Sequence, residues 1–421
     1  MKTEHNCSAS SLSRKKGVDP RILLKLPRIP GKTVYVLGAG FSYPLGVPLI
    51  SDFIPRGLDL LKRPDTKNAR KWTKYKTIIK KVIKLADRYR RPLGTLADRD
   101  PNLEDVFSFA DLLWENDGED HKILAEFVRD VCKHALMLHG EGLIKPDEGR
   151  GDTIVPRAHF NPESVEMPAP DGKAAGVCMY QAFISQVLGC VPETFPSALA
   201  KPEDDEGGYG SSAIINLNYD LVIEKKLKTL GLDPKKHLQE KHPRAFYGFG
   251  CVTQKIKWER SGARLPLIKL HGSINWQKPE RQKPEGAELV QEVEDMQEGK
   301  DSAPPLIYPS WVRERQPGSV FDKLLTEVRI HLRLAQRIVF IGYSLPTSDR
   351  HIAYLLSDGL DTAEPPEIET ANLWKTDEEA RGHVKAMMGE RAARQLKRNH
   401  PEGLKGFVKF WTHSSSVLTD K

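Results

Sequence analysis

The sequence predicts an α/β protein with a parallel, Rossmann-like sheet that is interrupted by a helical insertion module. The chain has 421 residues, of which 39% are hydrophobic and 29% charged, so it can bury a sizeable core. Between the apolar runs at 33–38 and 212–220, apolar residues recur at helical spacing. Five short runs are rich in apolar and β-branched residues, as is typical of strands in a parallel sheet: 33–38, 212–220, 265–273, 303–310 and 337–344.

These patterns divide the chain into segments. The predicted segments are a basic N-terminal arm (1–32), a first Rossmann segment (33–60), a helical insertion (61–204), a second Rossmann segment (205–360) with an acidic loop (279–302), and a C-terminal helix and strand (361–421). Helices are expected near 72–86, 102–114, 121–138, 180–188, 221–231 and 349–358. Composition predicts a long loop at 145–176 and a last strand at 406–411.

Cysteine usage and hydropathy indicate the cellular compartment. The five cysteines stand at 7, 132, 178, 190 and 251, an odd number with no close pairing. This spacing does not fit a disulfide framework and is typical of a reducing cytoplasm. The first 32 residues are polar and basic, unlike a secretory signal, and no run approaches the length of a membrane helix. We therefore expect a cytoplasmic protein without a membrane association.

A basic stretch between Lys62 and Arg91 holds thirteen Lys and Arg residues against two Asp. It is either the solvated face of a helix or a surface for an acidic partner. Its apolar side chains form one helical stripe: Trp72, Tyr75, Ile79, Val82 and Ile83. The basic side chains off that stripe are expected to face outward: Lys71, Lys74, Lys81, Lys84 and Arg88. We expect this face to contact the acidic loop of a second copy, which predicts a homo-oligomer, with nucleic acid as the second candidate.

The first candidate binding turn follows the run at 33–38 and reads Gly38-Ala39-Gly40-Phe41-Ser42. A strand that ends in glycines and enters a helix presents backbone N–H groups that suit a diphosphate. Glycine also lets the backbone approach phosphates, because it has no Cβ. The alternative is a tight strand-to-helix turn without a ligand, since Tyr43 stands where a dinucleotide fingerprint has its third glycine.

Asn218 and Asp220 lie at the end of the second apolar run, and His271 lies at the end of the third. In open α/β sheets the ligand crevice lies at the carboxyl edge of the strands, so all three are candidate site residues. Histidine can carry a proton near neutral pH, although a lone histidine is more often a structural hydrogen-bonding group. Asp220 would by default cap the helix that begins at Leu221, and Asn218 could equally form the turn.

The fourth candidate turn, Gly342-Tyr343-Ser344, ends the run at 337–344. Its glycine and hydroxyl suit a second phosphate or ribose contact, while Asp349 could be an N-cap of the next helix. All four polar turns follow strands. A parallel sheet would therefore bring them to one edge.

Taken in order, the turns GAGFS, NYD, LHGS and GYS resemble those of the sirtuin-like (Sir2-type) NAD⁺-hydrolysing proteins of bacterial antiphage defence. They are more distantly similar to the turns of the sirtuin deacylases. The segments NLEDVFSF (102–109) and IYPS (307–310) also look like the antiphage branch. The resemblance covers residues 33–60, 100–115 and 210–358 in rough bounds, and leaves out the arm, most of the insertion and the tail.

This resemblance implies that NAD⁺ is the substrate and gives each matching residue a role. Asn218 would bind near the nicotinamide ribose and position the attacking water. Asp220 would contact the nicotinamide carboxamide or fix the loop that does, and His271 would bind a ribose hydroxyl and act as general base. The diphosphate would be held by the two glycine turns: Gly38, Ala39, Gly40, Phe41, Ser42, Gly342 and Ser344.

Two departures separate the chain from the deacylases. Deacylases carry a zinc ribbon of paired CxxC, whereas no two cysteines here are closer than twelve positions, so zinc is not expected. The segment after Gly46-Val47-Pro48 also lacks the usual GxPxFR pattern. Both count against protein deacylation and favour plain NAD⁺ hydrolysis. With the resemblance, this implies an NAD⁺ glycohydrolase that acts as an abortive-infection effector. The alternatives are an NAD⁺-dependent protein deacylase and a non-catalytic sensor of NAD⁺ or ADP-ribose. The resemblance further implies a HerA-type ATPase or an Argonaute-like protein as partner.

Overall fold

The computed structural model describes the following residues: 32–51, 53–61, 73–80, 103, 106–107, 119–140, 164–168, 174–187, 212–229, 245–247, 251–252, 255–256, 265–277, 291–292, 320–347, 349–362 and 364–410. The arm up to residue 31, the strand expected at 303–310 and most of the acidic loop lie outside these residues. The division of the chain into five segments therefore stays a prediction.

Seven parallel strands form one sheet, which confirms the predicted fold class. The strands are β1 (Thr33–Leu37), β2 (Ser212–Asn216), β3 (Ala245–Tyr247), β4 (Leu265–Lys269), β5 (Arg337–Ile341), β6 (Glu367–Ala371) and β7 (Leu396–His400). Their order across the sheet is β7-β6-β5-β1-β2-β4-β3. β1 and β2 are buried along their whole length, because their residues meet covering structure on both faces.

Helices connect these strands. They are α1 (Ala39–Ser42), α2 (Phe53–Leu61), α3 (Glu119–Gly140), α4 (Met179–Val187), α5 (Val222–Thr229), α6 (Val320–Leu334), α7 (Arg350–Leu360), α8 (Asp377–Met388) and α9 (Glu390–Ala393), with further helical segments at 73–80 and 404–410. Within the described part of the chain, no helix is both long and apolar enough to cross a membrane.

The two residues of the apolar stripe that the structure describes, Tyr75 and Ile79, pack inside their own chain. Tyr75 and Ile79 are each 1% exposed, and the Tyr75 hydroxyl donates a 2.7 Å hydrogen bond to Asp130 of α3. Off the stripe, the Lys74 ammonium lies 3.7 Å from a carboxylate oxygen of Glu126 of the same chain. Since 81–100 lies outside the described residues, the homo-oligomer stays a prediction.

Two of the predicted elements are of a different type in the structure, and the strands β3, β6 and β7 were not predicted. The loop expected at 145–176 contains an antiparallel hairpin, formed by Ser164–Pro168 and Ala174–Cys178. The residues between its strands, 169–173, lie outside the described residues, and their sequence contains Pro170, Asp171 and Gly172, residue types that occur in loops and in turns between paired strands alike. The strand expected at 406–411 is also wrong, because 404–410 is helical and buries Leu404, Phe407 and Val408 at helical spacing.

The strand order places a topological switch at β1. From β1 the chain first builds one half of the sheet (β2, β3 and β4) and then crosses to build the other half (β5, β6 and β7). β1 and β5 are therefore neighbours from which the chain continues in opposite directions. In such sheets a crevice opens at the carboxyl ends of the two strands, and this is where a ligand is expected.

The half of the sheet formed by β5, β6 and β7 contains a buried ionic contact. Glu369 of β6 is 4% exposed and lies 3.3 Å from the His400 Nε2 atom and 3.5 Å from an Arg337 guanidinium nitrogen. Burial opposes the charged form of this carboxylate, but the hydrogen bond to His400 and the Arg337 charge outweigh it, so the pKa of Glu369 lies below its usual range.

Replacing Glu369 by Gln is expected to lower the free energy of unfolding at pH 7 by about 1–3 kcal/mol. The deficit should shrink on acidification, because a carboxylate with a lowered pKa stabilises the fold above its unfolded pKa of about 4.3 and loses this effect as pH falls through the folded pKa. Denaturant titrations of both proteins at a series of pH values from 7 downwards measure this difference in unfolding free energy. The control is Glu402→Gln, which removes an exposed contact to Lys409. A deficit that is constant with pH would contradict the assignment.

Candidate active site at the carboxyl edge of the sheet

The four polar turns lie at one edge of the sheet, as the sequence predicts. Leu37 at the end of β1 pairs with Asn216 of β2 and with Ile341 of β5, and Asn216 pairs in turn with Lys269 of β4. Because these strands are parallel and end in register, the turns that follow them are neighbours.

The turns after β1 and β5 touch through their backbones. Gly38 N–H donates to the Ile341 carbonyl at 3.0 Å, and Gly40 N–H donates to the Gly342 carbonyl at 2.8 Å. A Cβ on Gly38 would lie 2.5 Å from the Tyr343 Cα, and one on Gly40 would lie 2.8 Å from the Gly342 Cα. The glycines therefore clear space for the second turn, a role that the sequence analysis did not foresee.

Gly342 is expected to tolerate no side chain. Its φ of +62° is in the left-handed region, which costs other residues about 1–2 kcal/mol, and its Cβ would lie 2.2 Å from the Phe41 nitrogen. Gly342→Ala should lower the unfolding free energy by about 2–5 kcal/mol, since overpacking adds to the backbone cost. Thermal and denaturant unfolding measure this. Gly382→Ala is the matched control, because nothing lies within 4 Å of that Cβ and alanine favours a helix. Equal stability of the two variants would contradict the close packing.

Not every residue of the first turn faces the crevice. The Phe41 ring is 1% exposed and packs edge-on against Tyr180 of α4, with ring centroids 5.1 Å apart. The Tyr180 hydroxyl also donates to the Phe41 carbonyl at 2.7 Å. The Phe41 N–H donates to the Gly38 carbonyl at 2.9 Å, so the ring and both backbone polar groups of Phe41 are used within the fold, which does not favour its predicted ligand contact. Ala39 and Gly40 are half-buried at the edge.

Asn218 joins the turn after β2 to the turn after β1. Its side-chain Nδ2 donates to the Gly38 carbonyl at 2.9 Å and to Ser42 Oγ at 3.2 Å, and its backbone N–H donates to Asn216 Oδ1 at 2.9 Å. Both hydrogens of the amide nitrogen are therefore used, and Oδ1 is the atom that can accept a hydrogen bond from water. The structure holds this carbonyl in a defined place beside the glycine turn.

Asp220 takes the capping role that the sequence analysis gave as its default. Its Oδ1 accepts a 2.9 Å hydrogen bond from the Val222 N–H in the first turn of α5. The side chain is 2% exposed. It therefore stabilises the junction between the Asn218 loop and α5, while the role implied for it toward the nicotinamide carboxamide stays a prediction.

His271 is held by its Nδ1 atom, which lies 3.0 Å from the Leu217 carbonyl oxygen. A carbonyl only accepts, so Nδ1 carries the proton and, in the neutral ring, the lone pair is on Nε2. The ring is 5% exposed, and its centroid lies 6.1 Å from that of Tyr219. This arrangement produces the tautomer that a general base requires.

The turn after β5 differs in part from expectation. Ser344 is exposed at the edge, but Asp349 makes no side-chain cap bond to α7 and accepts a 2.7 Å hydrogen bond from the Tyr343 hydroxyl instead. Asn372, which follows β6, donates to the Tyr343 carbonyl at 2.9 Å and was missed because β6 was not predicted. Leu345, in the same turn, has a φ of 53°, in the left-handed region that residues other than glycine rarely adopt.

Among the residues that the structure describes, no group of three or more His, Cys, Asp or Glu side chains is arranged to hold a metal ion. The one cysteine whose side chain is described, Cys132, is buried, and burial raises the pKa of its thiol well above the ordinary value.

No protein-family model and no curated protein sequence matches the chain. Solved structures of Sir2 homologues are similar to it at low identity. A triple mutant bound to 2′-O-acetyl-ADP-ribose has a TM-score of 0.39 at 12% identity and covers 95% of this chain and 97% of that one. A Sir2 homologue–NAD complex has a TM-score of 0.36 at 12% identity over 96% of each chain. A complex of Sir2 with a p53 peptide and NAD⁺ has a TM-score of 0.33 at 13% identity, over 94% and 97%.

Proposed function

We propose that the chain binds NAD⁺ at the carboxyl edge of the sheet and hydrolyses the nicotinamide–ribose bond. The observation that carries this is that two functional groups lie at the carboxyl edge of the sheet, Asn218 after β2 and His271 after β4. His271 has its Nε2 lone pair set by the Leu217 contact, and Asn218 has its Oδ1 set by Gly38 and Ser42. The motif resemblance names the same two residues for the same chemistry.

The reaction needs little from the protein beyond orientation and one proton acceptor. Nicotinamide leaves as a neutral ring with the electrons of the C–N bond, and a cationic ribose centre develops. Water held at the Asn218 Oδ1 attacks that centre, and its proton passes to the His271 Nε2. NAD⁺ and water thereby give nicotinamide, ADP-ribose and one proton, with no further reactant.

Binding of the diphosphate is proposed for the two touching glycine turns. Gly38, Gly40 and Phe41 use their N–H groups within the fold, so these amides shape the turn. We assign the ligand contact to the half-buried Ala39 backbone and to the exposed Ser344 hydroxyl. No zinc is expected in the reaction.

The test is nicotinamide release by purified protein, followed by chromatography with NAD⁺ alone and with NAD⁺ plus an acetylated peptide. We expect release without peptide. Release only with peptide would instead indicate a deacylase, and binding without release would indicate a sensor. A protein that neither binds nor cleaves NAD⁺ would overturn the proposal.

The cellular role we propose is that of an antiphage effector that depletes NAD⁺, acting as a homo-oligomer or with a HerA-type or Argonaute-like partner. The order of the four motifs supports this role. Cellular NAD⁺ measured during phage infection, in cells with wild-type protein and with His271→Asn, tests it. NAD⁺ levels that are the same in both would contradict the role.

A further inference from the structure

A ladder of hydrogen bonds fastens the segment 216–220, which carries Asn218, to the segment 269–274, which carries His271. Three bonds come from backbone or ring nitrogens and one from a side-chain ammonium. The four contacts are Leu270 N to Asn216 O at 3.1 Å, His271 Nδ1 to Leu217 O at 3.0 Å, Ile274 N to Tyr219 O at 3.0 Å, and Lys269 Nζ to Asp220 O. The two proposed reactive side chains are thus positioned by one shared set of contacts.

Lys269 is unusual among these contacts because it is a charged side chain with no exposed surface. Its ammonium contacts the Asp220 carbonyl and also lies 3.1 Å from Glu224 Oε1 in the first turn of α5. Burial raises the pKa of the Glu224 carboxyl, and the neighbouring ammonium opposes that effect. One ammonium therefore joins the end of β4, the end of the Asn218 loop and the start of α5.

Stability alone does not explain this charge. Burying an ammonium is costly, and a buried ion pair can often be replaced by apolar residues of similar volume without loss of stability. What an apolar side chain cannot do is hold the Asp220 carbonyl, since it has no donor. The contact instead sets the position of the loop between Asn218 and α5.

We propose that Lys269 is a positioning residue for the reaction, whose ammonium fixes the Asn218 loop relative to His271. This inference rests on the proposed function and names a residue on which it depends. The Lys269 ammonium contacts the Asp220 carbonyl and the Glu224 carboxylate and thus acts on the loop that carries Asn218. Its effect should therefore fall on the alignment of Asn218 and His271, and hence on kcat more than on the KM for NAD⁺.

Lys269→Met tests the proposal, because methionine fills similar volume without a donor. We expect kcat to fall about 10- to 100-fold, as for small misplacements of catalytic groups, while KM stays within about threefold. Glu224→Gln keeps an acceptor for the ammonium and should retain kcat within about threefold. Lys269→Leu, which also has no donor, serves with the same expected result if the methionine variant does not fold.

The matched control is Arg333→Met. Arg333 is 3% exposed and pairs with Asp358 at 2.7 Å, which makes it a second buried cation. It lies just before β5 begins, at the opposite edge of the sheet from the site. Arg333→Met is expected to lower thermal stability and leave kcat unchanged.

Hydrogen exchange provides a readout that does not need catalysis. We expect the amides of 217–222 to exchange at least about tenfold faster in Lys269→Met than in wild type, and to be unchanged in Arg333→Met. If the wild type cleaves no NAD⁺, the proposed function fails, and the exchange result still decides whether Lys269 holds the loop. Wild-type exchange over 217–222, or kcat within about twofold of wild type in an active enzyme, would overturn the positioning role.

Discussion

Replacement of His271 by Asn is expected to reduce the rate of NAD⁺ cleavage by about 10² to 10⁴-fold, the usual cost of removing a positioned general base. The asparagine Nδ2 atom is as many bonds from the backbone as the histidine Nδ1, so it can still donate to the Leu217 carbonyl. The substitution therefore keeps the structural contact and removes only Nε2. Nicotinamide release under single-turnover conditions measures the loss, and NAD⁺ affinity should change little.

The matched control for this change is His383→Asn. His383 lies in α8, outside the four turns, and stacks on Trp374 with ring centroids 4.6 Å apart. The His383→Asn variant should cleave NAD⁺ at the wild-type rate. The base assignment is refuted if His271→Asn also keeps that rate while folding normally, because the Leu217 contact would then be purely structural.

Replacement of Asn218 by Ala is expected to lower the cleavage rate by about 10²-fold or more, since an aligned water contributes through orientation. The alanine substitution removes the Oδ1 atom that accepts a hydrogen bond from water, and it also removes the two contacts to Gly38 and Ser42. Asn218→Asp separates these effects. It keeps an acceptor oxygen but places a carboxylate oxygen against the Gly38 carbonyl, so it should be nearly as inactive as the alanine variant.

Asn399→Ala is the control for loss of a buried amide. Asn399 Nδ2 donates to the Trp374 carbonyl at 2.9 Å, and its Oδ1 accepts from Thr370, between the two outermost strands on the other side of the sheet. This variant should lose stability and keep its rate of cleavage. Wild-type turnover in both Asn218 variants would place the reacting centre elsewhere.

Local sequence was sufficient for the central strands. β1 and β5 read Thr33–Leu37 and Arg337–Ile341, and their apolar residues are buried on both faces. The packing partners of these strands did not have to be known for that prediction, because apolar side chains are stabilised by any contact that removes them from water. The order of the polar turns then followed from the rule that parallel strands end at a common edge.

The outer strands could not be predicted in this way. β6 and β7 carry polar residues that are buried only because they pair with each other. The Thr370 hydroxyl donates to Asn399 at 2.9 Å, and Glu369 lies 3.3 Å from His400, in each case about thirty positions away in sequence. A local pattern of polar residues predicts an exposed segment, so a buried polar pair is visible only when both partners are placed.

By itself the sequence determined which residues reach the carboxyl edge of the sheet: the glycine turns, Asn218, Asp220 and His271. The tertiary structure alone decided which atoms of those residues meet. It directed the Asp220 carboxylate to α5, the Phe41 ring to the core and the Lys269 ammonium to the Asn218 loop. The physical reason is that strand periodicity is a property of neighbours along the chain, whereas hydrogen-bond partners are selected by distances of about 3 Å between segments far apart in sequence.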